Sequence, residues 1–185
     1  MTNSQRWQES VAAIDFATAL SRLLHDGSLR DAFAADPIRL TKGLGVSDDD
    51  FQALVSLSPA ELEIQANVLL RKRFDEVRRL LPVTCSRIGK VAWSSFKGYA
   101  RSHWPQHVPM ALCDARAFCI FLRLHNPQAL CRSEEKRVVF AGSDKRFSLS
   151  FVPDLPRREQ THFGIQLLLR SGRYGWRELA ICFCP

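Results

Sequence analysis

The sequence has no uninterrupted apolar run of 18 residues, so no segment has the length and composition of a membrane-spanning helix. Met1 to Gln8 is polar and lacks the basic-then-apolar pattern of a secretion signal, which predicts a cytoplasmic protein without a membrane partner. Cys-x-x-Cys, a glycine-rich phosphate loop, a Gly-x-Ser-x-Gly elbow and His-Glu-x-x-His are all missing, so catalysis by this chain alone has no motif to support it. Internal repeats and low-complexity stretches are missing too. The six cysteines of a cytoplasmic chain read as free thiols. Cys182 and Cys184 would point to one side of a strand, either as two small apolar residues or as half a metal site. His103, His107 and Cys113 have ligand-like spacing but lie in a proline-broken segment where no helix sets both histidines on one face. No metal site is expected.

What is present is a folded chain with concentrated charge. An apolar fraction of 46%, with four Trp and twelve Phe in 185 residues, is ample for a core, as one domain or two small ones. The formal net charge is +7. Between Arg71 and Arg101 stand nine bases and only two acids, Asp75 and Glu76, so this stretch alone accounts for the whole excess. The charge is local.

The organising stretch is Ser58 to Arg101, which predicts two long helices joined at Leu81-Pro82. Ser58-Pro59-Ala60-Glu61 is a start signal with a capping serine, a proline at the first helical position and a glutamate able to reach back. Leu62, Ala66, Leu69, Leu70, Val77 and Leu81 form its apolar stripe. The second helix has Ile88, Ala92, Phe96 and Tyr99 on one side and Arg87, Lys90, Lys97 and Arg101 on the other, within roughly 80° of arc. Upstream, Arg6 to Leu24 predicts an opening helix ended by Gly27. Ser28 caps a short helix through Phe33, Pro37 to Leu44 adds another ended by Gly45, and Ser47 caps Asp48 to Val55. Ser102 to Met110 is the expected hinge and Asp114 to His125 one more helix. Beyond Asn126-Pro127 the period becomes 2: Phe147, Leu149 and Phe151, then Phe163 to Leu169, then Leu179, Ile181 and Phe183 read as strands, the last two joined through Ser171 to Gly175. Arg137 to Ala141 offers a fourth strand. The expected architecture is α+β: a helical bundle over 1–105, then an α+β domain over 106–185 holding a small antiparallel sheet backed by one helix.

Leu29 and Phe33, Asp36-Pro37 with Leu40 and Leu44, Leu69-Leu70-x-Lys72-Arg73, Val77, Leu81-Pro82-x-Thr84, Phe96-x-x-Tyr99-Ala100 and Trp104-Pro105 occur in an order that resembles the helical domain of a family of small accessory proteins. These accompany multinuclear non-haem iron-dependent oxidative enzymes that modify ribosomally made peptides, and the partner subunits of the 3-thiaglutamate pathway are the nearest in pattern. The resemblance covers about Leu23 to Pro105. It implies a non-catalytic subunit that forms a heterodimer with the oxidative enzyme and recruits a precursor peptide through its leader. Iron would belong to the partner, with no cofactor in this chain.

A small antiparallel sheet can accept an extended peptide as an added strand. The hairpin residues Arg170, Arg173, Tyr174, Trp176 and Arg177 are the candidate peptide contacts, unless Tyr174 and Trp176 merely brace the turn. Arg87, Lys90, Lys97 and Arg101 are the candidate docking face for an acidic surface of the enzyme. The same stripe could grip phosphates, making a nucleic-acid-binding regulator the alternative, or be a solvated helix face. Arg73 lies on the apolar side of its helix and calls for a buried carboxylate, with Asp15 and Asp36 as the suggested partners.

Overall fold

The computed structural model of the chain describes residues 14–105, 107–157, 160–171 and 175–183. Contacts divide it into two compact units, Met1–Val68 and Leu69–Pro185. In the first, α1 (Phe16–His25), α2 (Gly27–Ala35) and α3 (Pro37–Leu44) follow one another through single capping residues, and α4 (Asp48–Val55) follows after Gly45, Val46 and Ser47. Asp26 ends α1 and caps α2, its carboxylate accepting from the amides of Ser28 and Leu29; Gly27 is the first residue of α2, so it does not terminate α1. Asp36 caps α3 ahead of Pro37, Gly45 ends it at φ 70°, and Ser47 caps α4. The expected helix over Arg6 to Leu24 begins only at Phe16. Ile14 instead forms a parallel bridge with Val46, and Asp15 is the cap; residues before 14 lie outside the described residues. Ala19, Leu23, Phe33, Leu54 and Leu62 form this unit's core.

The helix α5 (Pro59–Leu80) starts where the capping signal predicts. The second long helix does not exist as one piece. It is divided into α6 (Pro82–Ile88), a 3-10 turn (Gly89–Val91) and α7 (Ala92–Ala100). Gly89 adopts φ 67° and ψ −137°, a backbone region open only to glycine. This turn destroys the single arc expected for Arg87, Lys90, Lys97 and Arg101.

Two helices follow, α8 (Met110–His125) and α9 (Arg132–Ala141). Arg137 to Ala141 is therefore helical and not a fourth strand, with Val138 and Phe140 buried. The fold is α+β: helices are followed by one antiparallel sheet of three strands, β1 (Phe147–Arg157), β2 (Gln160–Ser171) and β3 (Gly175–Cys182), in the order β1-β2-β3. Phe147 pairs with Leu169 and Leu169 with Arg177, a register carried along to Gly164 opposite Cys182, while β1 is irregular between Val152 and Leu155. A Cβ on Gly164 would lie 2.2 Å from the Ile181 carbonyl oxygen, so only glycine fits there. The helix lying on the sheet is α9, where Asp114 to His125 had been expected. Leu70, Phe96, Phe118, Leu130 and Val138 share one core, which runs without a break across residue 105.

Candidate binding cleft and sheet edges

Arg71 and Arg78 on α5, Lys90 on the 3-10 turn and Trp93 at the start of α7 border an open cavity of about 700 Å³ with Phe74, Pro82 and Gly89 along its walls. The turn at Gly89 brings Lys90 opposite α5. The Arg71 guanidinium lies 5.1 Å from the Trp93 ring centre and 5.8 Å from that of Phe74, a cation-π arrangement that fixes its direction. All three bases are exposed, and among the described residues no carboxylate pairs with them. Three cations around a concave wall with one indole give this cavity a positive potential that attracts anionic groups.

A closed polar circuit fastens α6, α9 and β1 together. The buried Glu134 carboxylate of α9 accepts from the amides of Val83 and Thr84, both at 2.8 Å, and so caps α6 from outside. Asp154 of β1 caps α9 in turn, accepting from the Arg132 amide at 2.9 Å and the Ser133 amide at 3.2 Å. Arg87 of α6 closes the circuit by donating to Asp154 at 2.9 Å. Arg87 is thus committed to an internal ion pair. Of the four bases expected to share a docking face, Lys90 alone lines the cleft, while Lys97 and Arg101 are half-buried at the end of α7. Arg71, Arg78 and Trp93 were missed as site residues. The signal for them was the cluster of nine bases, but not the break that folds it into a cavity.

Arg73 is buried, and its partner is Asp114, not Asp15 or Asp36. Its Nε donates to Asp114 Oδ2 at 2.9 Å and its Nη2 to Asp114 Oδ1 at 2.6 Å and to the His103 carbonyl at 2.9 Å. Tyr99 also donates its hydroxyl to Asp114, at 3.0 Å. Burial first, and then the neighbouring Asp114 charge, push the Tyr99 phenol far above its ordinary range, so it remains a donor.

Residues 56–123 match the family model described as SCO6045-like, C-terminal domain. The matched segment contains the cleft residues Arg71, Arg78, Lys90 and Trp93 and also the Arg73–Asp114 pair, so the cleft and the buried ion pair both belong to the part of the chain that is similar to that family. No curated protein and no solved structure matches the chain at a significant level.

The hairpin residues do not make one surface. Arg170 and Trp176 are cross-strand partners on the helix-facing side of the sheet, and Arg177 points to the other side. Arg170 reaches back to the carbonyls of Phe140, Ser143 and Lys145, with its guanidinium 5.5 Å from the Phe140 ring centre, and so braces the turn between α9 and β1. Trp176 lines a cavity of about 150 Å³ together with Leu80, Leu112 and Val138. Arg173 and Tyr174 lie outside the described residues.

The two sheet edges differ. β1 carries Pro153, Pro156 and an irregular register, features that blunt an edge, whereas β3 has no proline and pairs in unbroken register with β2. Among the described residues no strand lies beside β3's outer edge.

Cys85, Cys119 and Cys131 are buried free thiols. Burial, helped by Glu134, pushes Cys85 up to about 11; burial, helped by Glu135 and Glu134, pushes Cys119 up to about 12. Among the described residues no three His, Cys, Asp or Glu side chains are grouped closely enough to hold a metal ion, and Cys184 falls outside that set. No described helix is long and apolar enough to cross a membrane.

Proposed function

We propose that the chain is a non-catalytic accessory subunit that binds an iron-dependent oxidative enzyme and brings it a ribosomally made precursor peptide. The observation that carries this reading is the open outer edge of β3. Among the described residues no strand pairs with this edge, which leaves its main-chain donors and acceptors available to an extended segment. The cleft of Arg71, Arg78, Lys90 and Trp93 supplies a separate anionic contact, suited to an acidic loop of the enzyme. Recruitment and docking would then use different surfaces, leaving the chemistry to the partner.

Hydrogen exchange with and without the precursor's leader peptide tests the edge. Added protection should concentrate in Gly175–Cys182; binding that protects β1 or the helices and leaves β3 unchanged contradicts the reading. The same cleft also supports a second reading, a nucleic-acid-binding regulator, because cations beside an indole can hold phosphates and stack a base. That alternative requires binding to a DNA or RNA oligonucleotide that falls steeply with salt and weakens in Arg78→Glu.

A further inference from the structure

The side of the sheet turned away from α9 is apolar apart from Arg177, and no described element covers it. Four cross-strand rows make it up. Phe147, Leu169 and Arg177 form one end, followed by the aliphatic row Leu149, Leu167 and Leu179. Next comes Phe151 with Ile165 and Ile181, and last Phe163, whose carbonyl accepts from the Phe183 amide. Phe151 stacks on Phe163 with ring centres 6.5 Å apart, and Phe163 meets Phe183 at 6.0 Å. The outer positions of these rows are 45% to 68% exposed. At about 200 Å² for a complete Phe and somewhat less for Leu or Ile, they leave about 750 Å² of side chain in water. The largest apolar patch on an ordinary monomer is about 300–600 Å².

We infer that this face is the contact surface for a second copy of the chain, two sheets packing face to face as a symmetric sandwich. The area fits. Two copies would together bury about 1,500 Å², within the range of about 1,200–2,000 Å² of stable interfaces. The pattern fits as well. A two-fold axis between the sheets and crossing the strands lays the first row of one copy on the last row of the other, and sets the two middle rows on each other. The Phe163 and Phe183 end then rests on the end holding Leu169 and Arg177, and the aliphatic row Leu149, Leu167 and Leu179 rests on Phe151, Ile165 and Ile181. Among the described residues of the face Arg177 carries the one charge, and the axis brings it over the Phe163 and Phe183 rings, where a guanidinium is held by cation-π attraction. No acidic residue is present on the face to select a basic partner, whereas its two ends complement each other. The inference does not depend on the accessory reading, since the outer edge of β3 remains free in such a sandwich.

Sedimentation velocity on the full chain, at micromolar and tens-of-micromolar concentration, should show a dimer. Leu149→Lys with Ile181→Lys, both at exposed positions, should raise its dissociation constant at least about a hundredfold by burying uncompensated charges in the apolar contact. Ile64→Lys, on α5, should leave it unchanged. A photoreactive benzoylphenylalanine in place of Phe151 guards against a misfolded variant: in the otherwise intact chain it should cross-link to a second copy within 147–183. A monomer at both concentrations, a dimer indifferent to the lysine pair, or cross-links into α1 to α8 would each overturn the inference.

Discussion

Replacing Asp114 with alanine would leave the Arg73 guanidinium buried with no countercharge and deprive the Tyr99 hydroxyl of its acceptor. Arg73 is 9% exposed and Asp114 1%, so water cannot take over either role. The guanidinium already has one nitrogen, Nη1, without a partner, and the remaining contacts are the His103 carbonyl and the faces of Trp104 and Phe96, at 4.5 and 5.9 Å. Stranding one member of such a pair costs about 3–5 kcal/mol. Asp114→Ala should lose about that much in urea unfolding, followed by tryptophan fluorescence, since the Trp104 ring lies 4.5 Å from the Arg73 guanidinium. Removing both charges in Arg73→Met with Asp114→Leu should cost less than Asp114→Ala alone, because an apolar pair of similar volume needs no desolvated countercharge. The reasoning fails if Asp114→Ala costs under about 1 kcal/mol, or if the double variant loses the sum of the two single losses.

Three further outcomes follow from the structure. Glu134→Gln turns an amide group toward the Val83 or Thr84 donor, and should cost about 2–3 kcal/mol in the same urea assay. Asp26→Ala should cost about 1 kcal/mol at neutral pH, as a lost helix cap. The Ser28 hydroxyl leads in holding the Asp26 carboxyl below its usual range, so its contribution is complete above the ordinary carboxylate pKa and disappears as pH falls through the lowered value; the gap between wild type and variant should close in acid unfolding curves. With Cys85 at about 11 and Cys119 at about 12, a disulfide reagent at mildly alkaline pH should modify the less buried Cys113 and Cys182 first and reach Cys85 and Cys119 only on unfolding.

Local signals in the sequence located most elements because each has a local physical cause. Asp36 before Pro37, Gly45 after Leu44 and Ser47 before three aspartates mark helix ends through groups that satisfy neighbouring amides, and the two-residue period marks the strands. The failures are non-local. Val138 and Phe140 alternate as in a strand, but Asp154, distant in sequence, caps the segment as a helix. Gly89 reads as a tolerable helical residue until its positive φ is seen, and that turn converts an expected stripe of bases into a cleft. The burial of Arg73 was legible from Leu69 and Val77 on either side, yet its partner lies 41 residues away. Alternation in the strands tells which residues share a face, not which face is covered, so the uncovered apolar side of the sheet was invisible before the structure.

The accessory role is tested most directly by co-expressing the chain with an iron-dependent oxidative enzyme and precursor peptide from the same genomic neighbourhood, and purifying on a tag carried by this chain. Recovery of the enzyme and the peptide together, with the enzyme lost in Arg78→Glu, Lys90→Glu while the peptide is retained, is the predicted result. Recovery of the chain with neither of them would contradict the account.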